Sequence, residues 1–316
     1  MNWLPKRDRM KIKLEELGLA YRRVKADLYY TRNANTFKLL AYEKHLSSNL
    51  KHLYDCLVSG DYEGLYGYCF GYRIVPKGIV FEGENDQALH STVSLGDERR
   101  TVKTCDLRLI EDLPIDFHVI VQLWIDRVGG QFERCISDDV YGYRLRVHDN
   151  HVNKLYPGTF KHWMSQYRKW HDKGLDEARK ALSESKKDVV ILTADFSSFF
   201  HNLSAGFLRS EAFQQAIGVE SLSEDDRMLT HLVVDMLDKW AEKTPLEMGL
   251  PVGCSISAVI ANLALVLFDR AMAKLPGKIY YGRYVDDIIL VRENEEGLAS
   301  KDAVFKWLEN CFEGNT

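Results

Sequence analysis

Residues 281–291 read YGRYVDDIILV. Two adjacent acids, Asp286 and Asp287, lie between runs rich in β-formers: Tyr280, Tyr281, Tyr284 and Val285 before them, Ile288, Ile289, Leu290 and Val291 after. Such flanks predict two strands meeting at a tight turn with the acids at its tip. Apolar runs on both sides tend to bury what lies between them, yet carboxylates are almost never fully buried without a partner. The tip must therefore reach water, a cation or a metal. Taken alone, the stretch suits an ordinary hairpin equally well, because Asp favours turns on its own account.

The rest of the chain narrows what that turn can belong to. At 316 residues there is length for two domains or one large one, and 46% hydrophobic with 28% charged residues excludes overall disorder. The cysteines at 56, 69, 105, 135, 254 and 311 form no CxxC pair and no Cys/His grouping at zinc spacing. That argues against a structural zinc site and fits reduced thiols in a cytoplasmic protein. No apolar run reaches the length of a membrane span and the N-terminus lacks a signal h-region, so no membrane partner is expected. A net charge of −4 argues against a nucleic-acid binder that is basic all over, but leaves open a basic groove beside an acidic centre.

Residues 1–60 predict an N-terminal helical segment. Leu14, Leu17 and Tyr21 recur at helical spacing, and a second helix is expected over 35–58. The basic run between Lys6 and Lys25 suits a solvated surface, or a contact with nucleic-acid phosphates. Residues 61–110 turn rich in Gly, Tyr and β-formers, with strands near 72–78 and 102–110 around a polar loop at 82–98. Helix is expected over 114–136, a short strand-like piece over 140–147, and helix again over 159–185 with Lys and Arg outward.

Residues 188–194 form a nearly continuous apolar run, as for a central strand covered on both faces, and end in Asp195. An acid at the end of such a strand is a common site position, and equally a helix N-cap. Helices follow over 204–217 and 224–243. Gly249, Leu250, Pro251, Val252 and Gly253 then lead into a small-residue helix over 254–274. Small residues let something approach the backbone closely, or simply pack tightly.

If the strand ending at Asp195 pairs beside the hairpin, Asp195 and Asp286 converge on one rim. Carboxylates facing each other repel unless cations neutralise them. A pair of Mg2+ ions shared with substrate phosphates is the natural solution, and two such ions clamp the attacking and leaving oxygens of a phosphoryl transfer.

These stretches, in this order, resemble a reverse transcriptase. Asp195 with Phe199 and Phe200 resembles that family's first palm motif. Gly249 to Gly253, with Ser257, Ala261, Asn262 and Leu263, resembles its second. Tyr284-Val285-Asp286-Asp287 is similar to the Tyr-x-Asp-Asp signature. The resemblance implies an α+β right hand: fingers over 61–185 and a palm over 186–316, whose antiparallel sheet is backed by helices. On this resemblance the last palm strand and the thumb are not expected within the chain. It implies an RNA-directed DNA polymerase that adds dNTPs by nucleotidyl transfer with two Mg2+ ions, for which Mn2+ substitutes.

The same resemblance assigns roles. Asp195 and Asp286 become the main metal ligands, the Phe196 carbonyl an extra ligand, and Asp287 their support. Phe200 becomes a ring against the sugar that rejects a 2′-hydroxyl, the lesser alternative being a core aromatic. Gly253 lines the nucleotide pocket, while Pro251, Val252 and Tyr284 touch template or primer. Residues 72–78, centred on Pro76 and Lys77, resemble a fingers segment, and Arg108 resembles the arginine that grips the triphosphate. Lys77 and Lys103 assist as point charges or are plain surface lysines.

Leu123-Trp124, Val128-Gly129, Tyr141-Gly142, Arg144-Leu145 and Val252 resemble the bacterial reverse transcriptases of phage defence, the abortive-infection and unknown-group lineages. Some of these make DNA without a template or prime it from a protein hydroxyl. Expected partners are an RNA template or non-coding RNA, the DNA product, dNTPs, and a second copy or partner protein. Two other readings compete. One is a non-catalytic RNA-binding or assembly subunit that keeps the palm as a scaffold. The other is a palm-type nucleotidyl cyclase, which lacks its Gly-Gly-Asp/Glu-Glu-Phe turn here.

Overall fold

A computed structural model of the chain describes residues 9–31, 36–67, 71–81, 102–148, 151–152, 158–184, 188–295 and 297–313. In chain order the elements are α1 (Leu14–Thr31), α2 (Thr36–Glu43), α3 (Leu46–Ser59), α4 (Glu63–Tyr66), β1 (Tyr72–Phe81), β2 (Val102–Glu111), α5 (Ile115–Trp124) and α6 (Gly130–Glu133). They continue with β3 (Val147–His148), β4 (His151–Val152), α7 (Trp163–Ser183), β5 (Val189–Asp195), α8 (Glu211–Ile217), α9 (Glu224–Lys243), α10 (Ser255–Ala264), α11 (Val266–Met272), β6 (Lys278–Tyr284), β7 (Asp287–Glu293) and α12 (Lys301–Glu313). The fold is mixed helix and sheet, and its sheets are small and antiparallel.

The main core is helical. α1 buries Leu17, Ala20, Tyr21, Val24 and Leu28, a stripe at helical spacing, and every residue of α5 except Asp116 is buried. Trp124 at the end of α5 donates its indole N–H to the Thr230 hydroxyl on α9 at 2.9 Å, so that large ring is buried with its polar atom satisfied. After α5 the chain does not run on as one helix to 136. Residues Ile125–Gly129 are π-helical, and α6 ends at Glu133. The helix expected over 35–58 is two, α2 and α3, broken at Lys44 and His45. There the Asn49 amide donates to the Tyr42 carbonyl and the Ser48 hydroxyl to the His45 carbonyl. Residues 140–146 make isolated bridges rather than the expected strand.

Residues 189–195 do form a strand, but β5 lies at the edge of the three-stranded sheet, whose order is β5-β7-β6. The central strand is β7, paired antiparallel on both sides. The apolar run in β5 misleads because hydrophobicity does not report coverage: Ile191 is 46% exposed. β6 and β7 show the period-2 division of a sheet packed on both faces. Tyr280, Ile289 and Val291 meet Trp170 and Ala178 of α7. Tyr281, Ile288 and Leu290 meet Met272 on α11, with Trp307 and Phe312 of α12 alongside.

The β1–β2 hairpin is fastened to the rest at its base. The Glu111 N–H donates to the Val252 carbonyl at 3.0 Å, and Ile110 bridges Val252 in parallel. The helix expected over 254–274 bends by 44° between α10 and α11. The polar loop at 82–98 lies outside the described residues.

Candidate active site

Sheet register builds the site. Asp195, the last residue of β5, stands opposite Asp287, the first of β7, and Tyr284 stands opposite Asp287 on the other side. Asp286 sits in the turn between β6 and β7. The Phe196 N–H donates to the Asp286 carbonyl at 3.3 Å, tying the end of β5 to the turn. Thus Asp195, Asp286 and Asp287 converge on one rim, as the spacing of the motifs predicts.

Their electrostatics fit repulsion. Burial raises the Asp286 carboxyl above the usual carboxylate range, and the charges of Asp195 and Asp287 raise it further. Burial and the Asp195 charge raise Asp287 in the same direction. Among the described residues, none of the three makes an ion pair with Lys or Arg. Nor, among the described residues, does any group of three or more His, Cys, Asp or Glu side chains converge as a ready ligand cage. Asp286 hydrogen-bonds Asp195 and feels the Asp287 charge. An all-oxygen carboxylate set suits a hard divalent cation such as Mg2+ and offers nothing to a soft one.

The turn is held by a buried network. Val285 adopts φ +62°, a left-handed conformation rare for a β-branched residue. Arg283, fully buried, donates to the Val285 carbonyl at 2.6 Å. Its other donors grip both carboxylate oxygens of Asp269 at 2.8 and 2.7 Å. Tyr281 donates to Asp269 at 2.5 Å, and Arg283 reaches the Asn262 side-chain oxygen at 3.1 Å. The Asn262 amide donates to the Gly142 carbonyl at 2.8 Å. Gly142 presses on the turn so closely that a Cβ there would meet Val285 Cγ2 at 2.6 Å. Beside it Tyr143 feels the charge of Asp286, which with burial raises its hydroxyl.

The other expected site residues distribute around this rim. Phe200 is partly buried against the helical core, edge-on to Phe199 at 5.9 Å between ring centroids. The Leu250 N–H donates to the Phe200 carbonyl at 2.8 Å, so the 249–253 segment lies directly on the Phe200 backbone. Gly249, at φ +98°, is required there: a Cβ would stand 2.7 Å from the His201 carbonyl oxygen. Gly253 has φ +102°, and the Ser257 hydroxyl donates to the Pro251 carbonyl at 2.8 Å. Lys77 occupies a bulge in β1, and Arg108 pairs with Val75 across the hairpin; both are exposed. After burial, their charges lower the His201 imidazole. Lys103 lies in β2, with its side chain outside the described residues. Tyr284 is raised to about 12 by burial and by Tyr143 and Tyr167.

Tyr143, Arg283, Asp269 and His201 were not singled out by sequence reasoning. The signal for Arg283 was present: a cation inside an apolar strand needs a buried counter-charge. Nothing in the sequence told which acid supplies it.

A paired strand-end acid, a hairpin-tip acid pair and a glycine-framed segment on one rim define a polymerase-palm arrangement. Residues 108–312 match the model of the family described as reverse transcriptase (RNA-dependent DNA polymerase). The chain belongs to the reverse transcriptase family. Membership supports polymerase activity of the nucleotidyltransferase class and implies a nucleic-acid template and dNTP substrates, in a family that generally uses Mg2+. Among curated proteins none is similar enough to count as a relative.

Proposed function

We propose that this chain is an active reverse transcriptase that joins dNTPs at the Asp195–Asp286–Asp287 rim. The observation that carries the reading is the set of three convergent carboxylates with no basic partner, among the described residues, beside a turn braced from behind. Asp195 and Asp286 would hold two Mg2+ ions, with the Phe196 carbonyl as a further ligand and Asp287 in support, and Mn2+ would substitute. The chemistry such ions would supply is activation of the 3′-hydroxyl and charge neutralisation at the leaving pyrophosphate.

The protein's own groups bind and orient. Lys77 and Arg108, with Lys103 beside them in the fingers, attract the triphosphate, Arg108 as a planar fork and the lysines as point charges. Phe200 stands against the sugar and excludes a 2′-hydroxyl. Gly253 lets the nucleotide approach the backbone, while Pro251, Val252 and Tyr284 contact template or primer. Residues 61–185 act as fingers and 186–316 as palm, with 1–60 an N-terminal helical segment.

The further reading is a cytoplasmic enzyme of bacterial phage defence, possessing a second copy or a partner protein. The described cysteines form no disulfide among themselves, which supports the compartment, and the motif resemblance supports the defence role. Incorporation of labelled dNTP on a primed RNA template tests the chemistry. The reading requires Mg2+-dependent incorporation that disappears in Asp286→Ala/Asp287→Ala. Retained nucleic-acid binding with no incorporation by the intact enzyme, alone or with its partner, would mark a binding subunit instead.

A further inference from the structure

We propose that the exposed N-terminal half of α7, with Tyr143, is a track for a single-stranded polynucleotide running to the Asp286 turn. The proposal rests on reading that turn as the polymerisation centre, but binding to the track can be measured without polymerisation.

The stripe of α7 that faces the sheet buries Trp170, Gly174, Ala178 and Ala181. The same stripe continues backward at helical spacing to Tyr167 and Trp163. There it has passed the sheet's end and is uncovered: Tyr167 is 42% exposed and Trp163 61%. Single exposed aromatics are common, but these are contiguous with the site. The Tyr167 ring stands edge-on to Tyr284 at 5.4 Å and stacks on His171 at 6.2 Å. The Tyr284 hydroxyl donates toward the Trp163 carbonyl at 3.5 Å. Tyr143, 45% exposed, rests edge-on against Phe160 at 5.3 Å and follows Gly142, which presses on Val285 of the turn. Aromatic side chains thus run from the acidic turn past Tyr284 to Tyr167 and Trp163.

Cations occupy the same stretch of chain, those on the helix on faces turned away from the ring stripe. Residues 159–171 contain Lys161, Arg168 and Lys169 and no acid, in a chain of net charge −4. All three are exposed. The next acid, Asp172, lies 3.0 Å from the His171 ring. Flat rings offer stacking to unpaired bases and the cations track phosphates, the combination that holds single strands without reading sequence. A duplex shows no base faces to stack, and protein interfaces are depleted in lysine, so the single strand fits best.

Fluorescence anisotropy with a labelled DNA strand, an RNA strand of the same sequence and the matching DNA duplex tests this, in EDTA so that no synthesis occurs. Trp163→Ala/Tyr167→Ala should weaken single-strand binding about tenfold and leave duplex binding unchanged. Lys161→Glu/Arg168→Glu should flatten its salt dependence. Loss on DNA alone marks the product strand, and loss on RNA alone the template; either supports the track. Single-strand affinity unchanged in both variants, with folding confirmed by circular dichroism, overturns it. So does an equal loss on the duplex, or loss only of a copurifying protein. If Asp286→Ala keeps full dNTP incorporation while the aromatic variant loses strand binding, the active-site reading fails and the track stands.

Discussion

Asp269 on α11 and Asp286 in the β6–β7 turn both act on one hairpin, and they stand in opposite circumstances. Asp269 is buried, and Arg283 and Tyr281 occupy its oxygens. Asp286 is partly buried with two further acids beside it and, among the described residues, no cation. The first arrangement is complete within the chain, and its product is geometry: Arg283 also holds the Val285 carbonyl at the strained turn. The second is incomplete, and a cation from outside is what completes it. A protein that spends buried groups to fix a turn, then leaves repelling charges at its tip, has placed its specificity in the first set and its chemistry in the second.

The largest expected effect breaks the second set. Asp195→Asn or Asp286→Asn should lower dNTP incorporation on the order of a thousandfold with the fold intact, since near-isosteric amides remove charge at the point where it is required. Steady-state incorporation alongside circular dichroism checks this. Asp269→Asn should do the reverse in kind, costing about 3–5 kcal/mol of stability by leaving the Arg283 guanidinium buried without its counter-charge. Urea unfolding measures it. If Asp269→Asn is as stable as the wild type, the distinction between the two acids collapses.

A third acid sharpens the comparison through pH. Glu111 accepts the Leu113 N–H at 3.0 Å and lies 3.4 Å from the His118 ring. Burial raises its carboxyl, but the hydrogen bond and charge of His118 more than offset that and hold it below its usual range. For His118, burial pulls downward, and hydrogen bonds with Cys254 and Glu111 outweigh it, leaving the imidazole at about 10. A raised histidine contributes stability that is complete below its ordinary value near 6.5 and is lost as pH rises through about 10. The stability gap between wild type and His118→Gln should therefore be wide at pH 6 and narrow across roughly pH 6.5 to 10. Unfolding at a series of pH values reads it, and a constant gap would show that His118 is not charged in the folded protein.

The smallest effect has the opposite sign. Asp286 and Asp287 are raised, so their contribution to stability falls as pH climbs through their folded values. In EDTA near pH 7.5, Asp286→Asn should melt about 2 °C above the wild type, although it is inactive. Differential scanning calorimetry would detect the rise.

The chemistry-bearing residues were legible because their signals are local. Asp195 ends an apolar run, Asp286 and Asp287 sit between two others, and α9 matches its expected span because its apolar period and acidic first turn agree. What stayed illegible depends on residues that meet only through the fold. Arg283 finds Asp269 across 14 positions of sequence, and Gly142 presses on Val285 from a distant loop. The edge position of β5 follows from pairing order, which an apolar run does not encode. The uncovered rings of Trp163 and Tyr167 continue the helical pattern of Trp170, so only the extent of the sheet beneath them separates core from surface.

The most direct test of the account is a Mn2+ titration followed by electron paramagnetic resonance, with dNTP present, comparing wild type and Asp286→Asn. The account predicts that the wild type takes up Mn2+ at the acidic rim and that the variant loses most of this uptake. Equal uptake by both proteins, or none by either, would contradict it.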